Sequence, residues 1–328
     1  MKRFSSIAAL TALLLTAAAC GDDSTSTDSV KPSDTTLDTT LDTTADTVVE
    51  VTTVDTTSGA TAESTVTGEL PMAIISLSPT HTEMLFAIGA ADQIIAVDDQ
   101  SNFPAEALDK PHELSGFEPN VEAIAALKPD LVVIADDGAD LTGQLGKLGI
   151  PVWSGPAPAT FDDVYAQIEQ LGAATGHIGE AAELVGQMQT DIDAAIAAAP
   201  VAAEPASFYH ELDPTLYSVT SNTFIGQVYG LFGLVNLADG VEEGNDYPQL
   251  NAEFIIGANP DLIFLADSKC CGETPETVAA RDGWGATNAV INGNVIVVDD
   301  DIASRWGPRL VDFIQAVSTA LAKVPAQA

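Results

Sequence analysis

Apolar and polar positions fall along this chain in two alternating patterns, short unbroken apolar runs and longer stretches with apolar residues three or four apart. Residues 120–135, N-V-E-A-I-A-A-L-K-P-D-L-V-V-I-A, contain one of each. Val121, Ile124 and Leu127 or Lys128 share one face of a helix. Pro129 stops it, because its ring cannot continue the hydrogen-bond ladder. Residues 131–135 are then continuously apolar, as a parallel strand buried on both faces requires. The same helix, Pro-Asp turn and strand return 131 positions later at 251–266, N-A-E-F-I-I-G-A-N-P-D-L-I-F-L-A. Two copies so far apart predict two similar α/β lobes in one chain. Each copy also places a carboxylate, Glu122 or Glu253, near a helix start. There it could serve the helix dipole or a function shared by the pair.

The remaining elements fit around these units. Strands at 73–77 and 94–97 flank a helix that Thr80 or Thr82 caps and that runs to Ile88, before Gly89. A helix over 141–148, a strand over 151–153 and a helix over 161–175 ending at Gly176 follow. Residues 179–199 carry the longest helical pattern, about 32 Å at 1.5 Å per residue, and Pro200 and Pro205 end it. The second set comprises a strand at 207–209, a hairpin-like segment at 216–220 and a helix at 223–235. The second repeat unit, a helix at 275–281, a strand at 295–298 and a helix at 308–323 complete it. Strand–helix alternation predicts parallel sheets. The expected fold is two Rossmann-like α/β lobes, 71–177 and 201–328, joined by a single long helix at 178–200.

The N-terminal region changes the picture. Lys2 and Arg3, an apolar stretch and three alanines before Cys20 make residues 1–20 a signal peptide. The Cys-Gly that closes it resembles the lipobox of bacterial lipoproteins, which implies that Cys20 carries the lipid and starts the mature chain; an ordinary cleaved signal is the alternative. Residues 21–70 are Thr, Asp, Ser and Val in near-repeats, with eleven acids against Lys31. Such a segment cannot bury enough surface to fold and reads as a disordered tether. The formal net charge of the whole chain is −37, which argues against nucleic acid as a partner and suits an extracytoplasmic protein. No later stretch is long and apolar enough to cross a bilayer.

Three stretches, I-I-S-L-S-P-T-H-T-E-M-L-F-A-I-G-A, N-V-E-A-I-A-A-L-K-P-D-L-V and R-W-G-P-R-L-V, resemble the substrate-binding proteins of ABC importers for vitamin B12, ferric siderophores and haem. The resemblance runs over 72–323 and implies the helical-backbone fold, with a chelate held between the lobes. It implies a permease and its ATPase as partners, a monomer lipid-anchored at the outer face of the cytoplasmic membrane, and no intrinsic cofactor. By motif, Glu122 and Glu253 map to the residues that dock on permease arginines. Y-P-Q-L-N-A-E points to Tyr247 as a ligand contact, and D-I-A-S-R-W-G-P-R points to Arg305, with Asp301 and Trp306 beside it. Gln100 stands where the family often offers an aromatic. A surface sensor, or a bare-metal or haem-binding module on the same fold, is the alternative.

Other residues narrow the chemistry. The body after residue 70 has only three arginines, Arg281, Arg305 and Arg309, whereas strongly anionic chelates call for several cations. A neutral or modestly charged chelate is the easier fit. His81, His112, His177 and His210 lack a paired metal-ligand spacing. His81 after the first strand, and Tyr209 with His210 at and after the end of the first strand of the second lobe, are candidates to face the cleft; a hydrogen-bonded histidine at a strand end is the other reading. Cys270 and Cys271 are adjacent, open to a vicinal disulfide, free thiols or a soft-metal site. No G-x-S-x-G elbow, phosphate loop or dinucleotide fingerprint is present, so a catalytic site is not expected.

Overall fold

Adjacent residues of the first strand, Ile74 and Ile75, point into two different cores, and the rest of the architecture follows that alternation. The structure is a computed structural model that describes residues 69–138, 140–200 and 204–324. The expectations for residues 1–20, Cys20 included, and for the tether up to residue 68 lie outside these residues.

The first lobe holds a four-stranded sheet of β1 (Ile74–Ser76), β2 (Ile94–Val97), β3 (Leu131–Ile134) and β4 (Val152–Ser154), in the order β2-β1-β3-β4. All its pairings are parallel. The second lobe repeats the plan with β5 (Ser207–Glu211), β6 (Val235–Asn236), β7 (Leu262–Leu265) and β8 (Val295–Val297), in the order β6-β5-β7-β8. The repeated strand is therefore the third of its lobe, in the same place in each sheet. The helices of the first lobe are α1 (Pro79–Ala87), α2 (Val121–Ala126), α3 (Leu141–Gly146) and α4 (Phe161–Thr175). The long α5 (Ile178–Ala198) leads into the second lobe, which carries α6 (Phe224–Gly230), α7 (Ala252–Ala258), α8 (Ser268–Cys271), α9 (Pro275–Ala280), α10 (Asn288–Ile291), α11 (Asp300–Ser304) and α12 (Leu310–Leu321).

Successive strand residues face opposite sides of a sheet, so helices on both faces make three cores. Val132 and Ile134 join Ile75 and Ile124 in an outer core of the first lobe. Ile263 and Leu265 join Ile255 and Trp284 in the matching core of the second. Ile74 and Val133 of one sheet and Leu262 and Phe264 of the other belong to a single inner core, which Val185, Met188 and Ile192 of α5 and Phe313 and Val317 of α12 complete. Helix α5 packs on α4 from one lobe and on α12 from the other. The two sheets thus share one apolar interior.

The repeat motif has a physical explanation in both lobes. Asn120 and Asn251 are N-caps, their side chains accepting from the N–H of Ala123 at 3.0 Å and of Phe254 at 2.9 Å. Lys128 and Asn259 turn the chain with φ of 53° and 54°, and the proline that follows bars helix continuation.

Three expectations need correction. The first helix starts at Pro79, so Ser78 holds its N-cap position and Thr80 and Thr82 lie inside the helix. The helix expected at 223–235 stops at Gly230, and Val235–Asn236 is instead an edge strand on β5. Gly233, at φ 67°, makes the turn between them. The segment at 216–220 forms no hairpin; its only strand-like pairing is an isolated bridge between Tyr217 and Gln249.

Candidate functional site

Parallel sheets present their loops at the C-terminal ends of the strands, and ligands settle where the strand order reverses. In the first lobe the loops after β1, β2 and β3 enclose a hollow of about 400 Å³ lined by Leu77, Ser78, Asp98, Phe117, Asp136 and Leu141. Phe117 is 84% exposed, more than any other large apolar side chain described. The sequence reading missed it. The Ser115 hydroxyl accepts from the N–H groups of Phe117 at 3.2 Å and Glu118 at 3.1 Å. Gly116 lies so close to the Leu77 carbonyl that a Cβ would collide with it. A Gly-Phe pair in a turn just before the first repeat was the available signal.

A second, smaller cavity, about 80 Å³, lies where the lobes meet. Ala157 and Pro158 from the loop after β4 face Phe224, Tyr247, Arg305 and Trp306 of the second lobe. Tyr247 is 52% exposed at its edge. A hydrogen-bond relay fixes the floor. The Trp306 indole N–H donates to Gln167 Oε1 at 3.0 Å, and His81 Nε2 lies 3.1 Å from the same oxygen. That oxygen can only accept, so His81 carries its proton on Nε2 and its Nδ1 accepts from the Ser78 hydroxyl at 2.8 Å. Gln167 Nε2 donates to the Pro156 carbonyl at 2.7 Å. Burial pushes the His81 imidazole down to about 4, so it is neutral near pH 7. His81 itself is fully covered; it supports Trp306 through Gln167 and does not reach the cleft surface.

Arg305 crosses the lobe boundary. It donates to Glu83 Oε1 at 2.9 Å, Asn102 Oδ1 at 2.8 Å, the Gln100 carbonyl at 3.1 Å and Asp301 Oδ1 at 2.8 Å. Asp301 also accepts from Asn102 at 3.1 Å and from Lys269 at 2.9 Å. Arg309 grips Glu83 from the other side, through Nε at 2.8 Å and Nη2 at 2.5 Å. Its guanidinium lies 4.1 Å from the Phe103 ring centroid. The structure thus brings Gln100, Asp301, Arg305, Trp306 and Tyr247 to one region. Gln100 touches the network by its backbone, and Asp301 is spent on orienting Arg305.

Tyr209 and His210 correct the sequence reading. Strand β5 runs on to Glu211 and has helices on both faces, so both side chains have no exposed surface and point into the core, not the cleft. Tyr209 packs against Trp284, and His210 Nδ1 lies 2.7 Å from the Tyr229 hydroxyl. Burial pushes His210 down to about 3. Beyond them Glu211 accepts both terminal nitrogens of Arg281, at 2.7 and 2.5 Å. The neighbouring Asp267 is pushed up to about 7, first by burial and then by the Glu211 carboxylate. Cys270 and Cys271 form a vicinal disulfide on α8, where Asp300 accepts from the N–H groups of Lys269 and Cys270, both at 2.9 Å. Among the described residues no group of three or more His, Cys, Asp or Glu side chains is arranged to hold a metal ion.

Glu122 and Glu253 each occupy the second position of their short helix, α2 or α7, and both are exposed. Among the described residues neither takes part in an ion pair.

Against this geometry the comparisons with known proteins are concordant. The sequence profile of the periplasmic binding protein family matches residues 74–302. An uncharacterized ABC transporter substrate-binding lipoprotein of Bacillus subtilis is 30% identical over 259 residues, 76% of this chain and 80% of that protein. A cobalamin-binding protein of Halobacterium salinarum is 28% identical over 258 residues, 76% of this chain and 69% of that protein. The crystal structure of the periplasmic vitamin B12-binding protein of Vibrio cholerae superposes with a TM-score of 0.64 at 25% identity, over 78% of this chain and 99% of that one.

Proposed function

The chain belongs to the periplasmic binding protein family, and we propose that it is the substrate-binding component of an ABC importer. It captures a metal chelate, a ferric siderophore or a cobalamin-type corrinoid, between its lobes and delivers it to a permease. The observation that carries this is the apolar notch between the lobes, where Tyr247 and Trp306 stand at an exposed edge against Ala157 and Pro158. The notch is far smaller than the ~300–1,000 Å³ of ordinary ligand pockets, so a large chelate would lie across it and extend over the N-lobe hollow beside Phe117. Relatives named for cobalamin and vitamin B12 support that ligand range. Glu122 and Glu253 serve as the paired contacts for the permease, and Cys20 as the lipid attachment at the outer face of the cytoplasmic membrane.

Titration of intrinsic tryptophan fluorescence tests the reading. Cobalamin, cobinamide, haem and hydroxamate, catecholate and citrate ferric chelates are added in turn. One class should bind with one ligand per chain and without turnover. Failure of every chelate to bind would remove the proposal.

A further inference from the structure

Glu83 is a buried acid at the lobe boundary, held between Arg305 and Arg309. It projects from α1 into the lobe boundary, its carboxylate only 1% exposed, and accepts three hydrogen bonds from two guanidinium groups. Burial of a carboxylate is costly unless it is paired and hydrogen-bonded, so the site is organised to keep Arg305 and Arg309 engaged. Both terminal nitrogens of Arg305 are already spent, each on two acceptors. Lys269, a further cation on this side, is held by Asp299 and Asp301. Arg281, the remaining arginine of the described residues, is held by Glu211 and Glu273. Charges compensated within the protein have little field left for a ligand. The groups lining the open hollow, Asp98 and Asp136, are acidic.

We propose that Glu83 sets the charge selectivity of the cleft, holding Arg305 and Arg309 as a compensated cluster so that uncharged or cationic chelates are accepted and polyanionic ones are rejected. This rests on the reading of the lobe boundary as the ligand cleft. A polyanionic chelate has to pull Arg305 from four acceptors and leave Glu83 with fewer donors in a buried place, whereas a neutral chelate leaves the network intact. Removal of the Glu83 charge should leave two guanidiniums beside the cleft with less compensation, and these would then attract anions.

The test uses matched ligands that differ in charge. One pair is a ferric tris-hydroxamate and a trianionic ferric tris-catecholate. The other is cyanocobalamin and its carboxylic-acid derivatives, in which corrin side-chain amides are hydrolysed. Wild-type protein should bind the uncharged member of at least one pair, and the anionic member roughly tenfold or more weakly. Glu83→Gln should narrow or reverse that ratio by about tenfold. Arg309→Gln, which removes a cation and keeps Glu83, should widen it. If Glu83→Gln does not fold, the wild-type order and the Arg309→Gln shift decide the matter. Tighter wild-type binding of the anionic member, a ratio that folded Glu83→Gln leaves unchanged, or a ratio that Arg309→Gln moves toward the anion, would overturn the role of Glu83 and leave the cleft reading in place. No binding by any of the four, nor by cobinamide, haem or ferric citrate, would overturn the cleft reading and this inference with it.

Discussion

Asp130 and Asp261 close their two lobes in the same manner. Asp130 Oδ2 accepts from the N–H of Met72 at 3.0 Å, just ahead of β1, and Asp261 Oδ2 accepts from the N–H of Ser207 at 2.9 Å, at the start of β5. In each lobe the aspartate N–H also donates back to the same strand entry, to Ala73 at 2.8 Å and Ser207 at 3.1 Å. The Pro-Asp of the repeat is thus a clamp that sets the register between the first and third strands. Asp261 accepts in addition from the Ser207 hydroxyl at 2.9 Å. Asp261→Ala should therefore cost about 2 kcal/mol and Asp130→Ala about 1 kcal/mol in denaturant unfolding. Equal or reversed losses would show that the Ser207 hydroxyl adds nothing to the second clamp.

Glu122 and Glu253 carry no such structural duty. Changing both to alanine should alter stability by less than about 1 kcal/mol, because exposed carboxylates contribute little to folding. Chelate affinity should stay near the wild-type value, and uptake through the cognate permease should fall sharply. The contact should also weaken as salt rises, since charges at an interface rim act mainly on encounter and orientation. Normal uptake by the double variant removes the docking role; lost chelate binding places these residues in the pocket instead.

Gln167 serves three partners at once, His81, Trp306 and the Pro156 carbonyl. Gln167→Leu leaves the His81 and Trp306 N–H groups and the Pro156 carbonyl without their partner. An unsatisfied buried polar group costs about 1–3 kcal/mol, and partial exposure of Trp306 moderates the total. A loss of roughly 2–4 kcal/mol is expected, together with weaker binding of whatever chelate the wild type takes, since Trp306 loses its anchor. Unchanged Trp306 emission and unchanged stability would show that the relay does not hold the indole.

The fold should respond to pH in two opposed ways. His81 and His210 have folded pKa values of about 4 and 3, below the ordinary 6.5. Their contribution is complete above pH 6.5 and is lost as pH falls toward the folded values. At pH 5 each should cost about 2 kcal/mol, because the unfolded chain takes up a proton that the folded one refuses. Asp267 has a folded pKa of about 7, above its ordinary 3.8. Its contribution is complete below pH 3.8 and lost as pH rises, so between pH 7 and 5 it opposes the histidines. Asp267→Asn should make the drop in unfolding free energy from pH 7 to pH 5 steeper than in the wild type. A shallower drop would contradict the opposition.

The sequence by itself determined the two lobes, the long helix between them and the paired glutamates. These follow from local chemistry: an asparagine cap, a proline that ends a helix, an apolar run long enough to be covered on both faces. Such signals act over a few residues, and 161–175 and 94–97 came out at the observed bounds because their caps and turns are local too. Short elements were less legible. Residues 231–236 look like a helix end until β5 is there to pair with Val235 and Asn236. What only the tertiary structure decided is how side chains far apart in sequence meet. Arg305 finds Glu83 from 222 positions away. No spacing announces that the arginine to which the family resemblance points is already engaged. Tyr209 and His210 look like cleft residues only while β5 is thought to end at Tyr209; one more helix-covered turn of the pleat takes both inside. Phe117 stands clear of the surface because Gly116 wedges against Leu77 and Asp98, elements 18 to 39 residues earlier in the chain. Burial and charge compensation depend on which surfaces are brought together, and that is set by the shared core through α5 and α12 rather than by any single stretch.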